Sequence, residues 1–288
     1  MYDFNKGKEI ANRFRGSEAK TTVLCDGDVY MIKYPDPVRS KNNDLKYMNN
    51  QFSEYIGCGI FKICGFITQD AVLGYFTSAN GNNKLVVGCK DFTQDGSMLH
   101  EFSMLKNQMQ DESKMSLSIE SVTKVILTNP IITKKSEAIE GFWNMFIIDC
   151  LIGNKDRHGD NWGFLEREGV VEFAPIYDCG SSLSALASDE KMEELLLSMG
   201  VFKSYEYNCH SCYYMDGKRI YYHEIFKTPP AALQGAIERV APNIDIDRIN
   251  AFIDDTPCLP DIRKEYLKKA IGIRYDEIIW PAYKKCGQ

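Results

Sequence analysis

Asp156, Asn161 and Asp178 are the residues whose types and spacing suit chemistry most directly. The stretch NKDRHGDNWGF, residues 154–164, sets two acids, an arginine, a histidine and two asparagines straight after the strongly apolar GFWNMFIIDCLIG. Charge at the edge of a core is costly unless something compensates. A further acid, Asp178, comes seventeen residues after Asn161, in PIYDCGSS. The intervening WGFLEREGVVEFAPIYD reads as a short hairpin, and if its two ends lie side by side the three side chains converge on one point. Three oxygen donors without a cysteine or a neighbouring imidazole pair suit a hard cation such as Mg²⁺. That ion keeps waters and takes phosphate oxygens as its remaining ligands, so such a loop would hold a metal and a phosphate. Asx residues in loops are also ordinary caps and turn formers, and spacing alone leaves that alternative open.

Other residues carry two readings each. Lys33, in YMIKYP, shares a strand face with Val29 and Met31, where it could meet a phosphate or simply snorkel into water. Arg157 and His158 could fix the charged loop against its surroundings; His158 could also carry a proton. Ser181 and Ser182, just past Asp178, are phosphorylation sites or plain loop serines. NCHSCYYMDGKRIYYHE holds Cys209, His210, Cys212 and His223. Zinc could use them, but the Cys-x-x-Cys has no second such unit and tyrosines crowd the segment, so packing or a substrate-facing hairpin takes precedence.

The elements that would position these residues fall into two groups. TTVLCDGDVYMIKYP is two β-rich runs around Asp26-Gly27-Asp28, and AVLGYFTSANGNNKLVVGCKDF is a second such unit turning at Asn80 to Asn83. Between them, YMNNQFSEYIGCGI puts Met48, Phe52, Tyr55, Ile56 and Ile60 on one helical arc, an amphipathic helix for that sheet. Glu54 lies off the arc, so the wheel leaves it either paired or solvated. From Phe92 the character changes. LKNQMQDESKMSLS reads as a loop or solvent-facing helix, and residues Glu140 to Ile152 form a helix apolar on nearly all sides, hence central. Mostly helical patterns follow the hairpin, including DIDRINAFIDD and DIRKEYLKKAIGIRYDEIIW, each opened by an Asp suited to an N-cap. The expected architecture is α+β, a small β-rich lobe joined to a larger, mainly helical one.

Composition sets the bounds. The chain has 288 residues, 44% of them hydrophobic, enough for a sizeable core in one large domain or two lobes. The formal net charge of −6, with no dense Lys/Arg block, argues against direct nucleic-acid binding and against an anionic membrane surface. Ten scattered cysteines fit reduced thiols in a cytosol-like compartment. The opening MYDFNKGKEIANRFRG lacks the apolar core of a secretory signal, and the longest apolar run, interrupted by Asp149, is too short to span a bilayer. A cytoplasmic location is expected, with non-classical export left open.

Asp156 and Asn161 also fit the D-x-x-x-x-N spacing of the protein-kinase catalytic loop, and Asp178-Cys179-Gly180 stands where that superfamily has D-F-G. The histidine follows the aspartate, so DRHGDN resembles the D-x-H-x-x-N form of HipA-like and phosphatidylinositol kinases. YMIKYP, FSEY, VVGCKDF, GNKDRHGDNWGFL, APIYDCGSSL and IDDTP stand in the order of the HipA-like group, and the chain is most similar to its CtkA-type serine/threonine kinases, from about residue 14 to residue 270. The resemblance implies a two-lobed protein-kinase-like fold, with residues 1–91 as the N-lobe carrying phosphate loop, strand lysine and hinge, and 92–288 as the helical C-lobe.

The resemblance also implies roles. Lys33 matches the strand lysine that contacts the α- and β-phosphates, and Glu54 the helix glutamate that pairs with it. Asp156 matches the catalytic aspartate that accepts the substrate hydroxyl proton, with His158 a further catalytic candidate. Asn161 and Asp178 match the metal ligands. Gly16-Ser17-Glu18-Ala19-Lys20 resembles a G-x-x-x-K phosphate loop, with contacts at Gly16, Ser17 and Lys20, although Ser17 and Glu18 depart from the commoner residues. Gly88, Cys89, Lys90, Asp91 and Phe92 fall where the hinge holds adenine through backbone groups. The expected function is an ATP- and Mg²⁺-dependent kinase for serine or threonine hydroxyls of proteins, itself included. The alternatives are a lipid or small-molecule hydroxyl kinase, and a toxin-like nucleotide-binding partner of a small DNA-binding antitoxin.

Overall fold

A computed structural model describes residues 1–12, 20–35, 37–38, 48–77, 81–109 and 117–286. Strands Tyr2–Asp3 (β1) and Lys8–Ile10 (β2) flank a short helical turn at Phe4–Lys6. Lys20–Cys25 (β3) and Asp28–Lys33 (β4) form the expected hairpin. Its turn residues, Asp26 and Gly27, have φ of 51° and 87°, the left-handed backbone whose twist matches the strands on either side. Asn50–Ile63 (α1) follows, then Ala71–Thr77 (β5) and Asn83–Lys90 (β6), and the six strands line up as β1-β5-β6-β4-β3-β2.

The pleat decides which face each residue serves. In the register of β4 against β6, Lys33 lies opposite Val87 and Met31 opposite Cys89, so these four share a face. On it packs α1, through Phe52, Ile56 and Ile60. The opposite face holds a second small core of Phe4, Val23, Ile32, Phe76 and Val86. Phe4 lies in a notch left by Gly74 and Gly88, where a Cβ on Gly88 would stand 2.1 Å from the ring. Because β6 is paired on both sides, Gly88 cannot retreat. Gly88→Ala is therefore expected to cost about 1–3 kcal/mol in denaturant unfolding. Phe4→Leu in the same chain should recover part of it, and full stability of the single variant would contradict this packing.

The helical lobe runs through Met98–Glu101 (β7), Phe102–Gln108 (α2), Ile119–Thr128 (α3), Lys135–Ile152 (α4), Gly163–Arg167 (β8), Val170–Phe173 (β9), Asp189–Leu196 (α5) and Met199–Tyr207 (α6). It continues with His210–Met215 (β10), Lys218–Tyr221 (β11), Tyr222–Ile225 (α7), Ala231–Val240 (α8), Ile246–Asp254 (α9), Asp261–Arg274 (α10), a wider turn at Tyr275–Ile279 and Trp280–Cys286 (α11). All residues from Met145 to Ile152 in α4 are buried, as a helix apolar on every side requires. The helix starts earlier than Glu140 and stops at Gly153, whose φ of 64° is the left-handed conformation that closes a helix. Phe142, Trp143 and Phe146 of α4 pack edge-on or tilted against one another and against Trp162, Tyr213 and Tyr222, and Phe146 lies parallel to Phe226.

The hairpin β8–β9 is present, and a third strand, β7, joins it from the stretch after Phe92. Of the segment expected as a loop or solvent-facing helix, Leu105 and Lys106 are instead buried in α2, next to Phe102, which stacks on Trp162 at 4.3 Å, while residues 110–116 lie outside the described residues. Asp245 caps α9 by accepting from the Arg248 N–H at 3.0 Å. Asp261 does not cap α10. It is the first helical residue, with Pro260 at the cap position, since a proline has no N–H to leave unsatisfied and its fixed φ suits helix entry. The two lobes meet where the Gln69 N–H donates to Ile176 O at 2.8 Å and the Ile176 N–H to Ile67 O at 2.9 Å.

Candidate active site

Lys33, at the end of β4, is 5% exposed, and a buried ammonium needs partners. It has two. Its Nζ donates to Glu54 Oε2 of α1 at 3.0 Å and to Asp178 Oδ1 of the other lobe at 2.9 Å. Glu54 is wholly buried, and its second oxygen accepts the backbone N–H of Cys179 at 3.1 Å. The glutamate that the wheel left undecided thus ties strand, helix and the Asp178 loop together. Asp178 has φ 56°, a conformation costly for a side chain bearing a Cβ and kept here by these contacts.

Burial pushes the Asp178 carboxyl up, but the Lys33 ammonium bonded to it outweighs that, with Arg157 and His158 adding to it, and the carboxyl stays below its ordinary 3.8. A depressed carboxyl contributes stability that is present above the ordinary value and lost as pH falls through the lower folded one. The stability advantage of the wild type over Asp178→Asn in denaturant unfolding should accordingly shrink as pH drops below about 4. An advantage unchanged down to pH 2 would refute it.

The loop after α4 is built around Arg157. This side chain is 1% exposed and forks onto the equally buried Asp149 of α4, its Nη2 at 2.9 Å and Nε at 3.0 Å. Burial by itself lowers the Arg157 pKa, and the Asp149 charge outweighs it, so the guanidinium stays charged. Its Nη1 then donates to the carbonyls of Asn161 at 2.9 Å, Tyr177 at 2.5 Å and Asp178 at 3.1 Å. One cation thereby pins both ends of the β8–β9 hairpin, which is how Asn161 and Asp178 come side by side. Asn154 Nδ2 donates to Asp149 Oδ1 at 3.0 Å, while the hydroxyls of Tyr213 and Tyr222 donate to the carbonyls of Arg157 and Asn154 at 2.7 and 3.0 Å.

On this frame Asp156 points outward, its carboxylate about half exposed. Asn161 is buried and donates through Nδ2 to Asp156 O at 2.8 Å, which leaves its amide oxygen as the atom for a cation. Together with the carboxylate of Asp178 it could supply hard-oxygen donors of the kind Mg²⁺ takes. His158 Nδ1 accepts the Asp160 N–H at 3.3 Å, and its Nε2 lies 4.0 Å from Asp156 Oδ1. Its contacts are within the loop.

The remaining expected residues are placed as follows. Gly16 and Ser17 lie outside the described residues. Lys20 opens β3 directly across from Lys33. Gly88 faces Phe4 rather than the Lys33 face, and Cys89 is buried on the Lys33 face. The Lys90 N–H donates to Asp70 O and the Asp91 N–H to Val29 O, both at 2.8 Å. The Lys90 and Asp91 amides are therefore spent on the fold, and the segment next offers Phe92, whose ring lies 5.9 Å from that of Tyr177. Cys209 to His223 form the β10–β11 hairpin and its end, with Cys209 and Cys212 buried and His223 Nδ1 3.2 Å from Tyr207 O. Among the described residues no three or more His, Cys, Asp or Glu side chains gather as a metal cluster.

Asp149, Asn154, Tyr213 and Tyr222 form a scaffold for the site that motif spacing in the sequence does not mark. One signal was present, an acid inside an otherwise apolar helix, which needs a buried partner.

The model of the HipA-like C-terminal domain matches residues 14–245. The chain belongs to that family. It is 34% identical over 273 residues, 92% of this chain and 82% of the other, to the serine/threonine-protein kinase CtkA of Helicobacter pylori strain J99. The crystal structure of the H. pylori proinflammatory kinase CtkA superposes with a TM-score of 0.90 at 32% identity, covering 99% of this chain and 97% of that one. HipA of Shewanella oneidensis MR-1, solved with HipB and operator DNA, shares the fold at a TM-score of 0.51 and 14% identity, over 96% of this chain and 68% of that one. By these relationships the chain is a protein kinase of the HipA type, with the two-lobed α+β fold of that group. Among the described residues no helix is long and apolar enough to cross a membrane.

Proposed function

We propose that the chain transfers the γ-phosphoryl group of ATP to serine or threonine hydroxyls of proteins, its own included. The observation that carries this reading is the Lys33 ammonium bonded at once to Glu54 and Asp178, beside the loop that presents Asp156 and Asn161. Phosphoryl transfer asks a protein mainly to position reactants and offset charge. Lys33, held by Glu54, offsets phosphate charge. Asp156, set on a loop clamped by Arg157, orients the acceptor hydroxyl and takes its proton late in the reaction. His158 braces that loop. Lys20, across from Lys33, adds a second cation on the phosphate side, and the hinge segment ending at Phe92 borders the adenine. Asn161 and Asp178 would hold Mg²⁺, which when bound neutralises charge developing between the β- and γ-phosphates. The likeness to CtkA supports a serine or threonine acceptor. That to HipA, at 14% identity, bears on the fold and gives no antitoxin-like partner.

The test is incubation of the purified chain with γ-labelled ATP and Mg²⁺, alone and with a generic protein acceptor, beside Asp178→Asn. Label on protein that disappears in the variant is expected. Label that appears only when a lipid or a small hydroxyl metabolite is supplied would replace this reading with that of a small-molecule kinase. Nucleotide binding without transfer to any acceptor would reduce it to a binding module.

A further inference from the structure

The carboxylate of Asp156 already has a hydroxyl on it. Ser181 Oγ donates to Asp156 Oδ2 at 3.2 Å. In the proposed reaction that contact belongs to the acceptor, whose proton this oxygen receives. Its neighbour Ser182 is different, fully buried with its hydroxyl donated to Cys179 O at 2.7 Å. The geometry therefore separates two serines that the sequence treats alike.

The placement of Ser181 is set by a rigid frame. Asp178, Leu183 and Ser184, which bracket it, all have φ between 54° and 56°, a conformation that is costly for non-glycine residues and persists only where the surroundings impose it. They do so here. The Leu183 N–H donates to Ile152 O at 2.9 Å, Ser53 Oγ to Ser182 O at 2.8 Å, and Arg157 to Asp178 O. Beside Ser181 opens a recess of about 290 Å³, lined also by Lys155, Lys191, Tyr205 and the paired Glu206 and Arg274.

We propose that Ser181 is a phosphate acceptor of the chain itself, modified within the same molecule; this rests on the kinase reading of the site. Ser181 Oγ forms a bond to the γ-phosphorus as the bond from that phosphorus to the β,γ-bridging oxygen breaks. ADP leaves with the electron pair, and the hydroxyl proton passes to Asp156 Oδ2. The product carries a charge of about −1.5 to −2 three residues past Asp178. It excludes other hydroxyls from Asp156 and repels nucleotide phosphates, so the modification limits the activity that makes it.

The test begins with the full chain incubated with ATP and Mg²⁺, digested and mapped by mass spectrometry, with the initial rate followed over a tenfold dilution. Phosphate on Ser181 at a rate per molecule independent of concentration is expected. The purified modified chain should bind a non-hydrolysable ATP analogue roughly tenfold more weakly by calorimetry. Ser181→Ala should lose that phosphopeptide and raise transfer to an added protein acceptor, while Ser181→Thr should keep the modification. Label on the added acceptor with Ser181 unmodified overturns this inference and leaves the kinase reading standing. A rate that falls with dilution overturns modification within one molecule. Absence of transfer to any acceptor overturns both.

Discussion

Asp156→Asn is expected to lower phosphoryl transfer by about 10²- to 10⁴-fold, the usual worth of a positioned general base. Nucleotide affinity should change little, because the carboxylate is half exposed and, among the described contacts, its hydrogen bond is to Ser181 rather than to Lys33. The asparagine keeps the shape of the side chain and removes its capacity to take a proton. Its backbone contacts also survive, since the Asp156 N–H donates to Asn154 Oδ1 at 3.0 Å and its carbonyl accepts from Asn161. Folding should thus be intact, which a thermal unfolding curve run beside the assay would confirm. Transfer within threefold of wild type would remove Asp156 from the reaction and with it the reason for placing an acceptor at Ser181.

The second large effect lies in the scaffold. Arg157→Met is expected to destabilise the chain by about 3–5 kcal/mol in denaturant unfolding, because it strands the Asp149 carboxylate in the core. A buried pair in itself is weak evidence for stability, since apolar residues of similar volume often replace both partners at little cost. Arg157→Met with Asp149→Leu should accordingly recover most of the lost stability. It should not recover activity. The carbonyls of Asn161, Tyr177 and Asp178 lose the donor that gathers them, so the metal-side residues lose their common anchor. A double variant that is both stable and fully active would show that Arg157 has no part in aligning the site.

These two residues show how far the sequence could be read. Asp156 and Asn161 were legible from spacing, and Asp178 from its place past a hairpin, because the contacts that make them a unit are local or cross one short turn. The β3–β4 hairpin, α1 and the central α4 were legible for the same reason, as hydrophobic periods and turn residues act over a few positions. Glu54 was not. Its helical position marks it as off the apolar arc, and only the approach of Lys33 from a strand twenty-one residues earlier makes a buried glutamate affordable. Strand β7 escaped because its pairing partner, β8, lies more than sixty residues ahead.

By itself the sequence determined the chemistry on offer: which oxygen donors, which ammonium and which hydroxyls, carried on which kinds of local element. Tertiary structure decided their roles, since charge in a low-dielectric interior is tolerable only where a partner meets it, and partners distant in the chain are chosen by packing. That is why Arg157 became an anchor for both ends of one hairpin, why Gly88 serves Phe4 instead of the cleft, and why Ser181 reaches Asp156 while Ser182 turns inward.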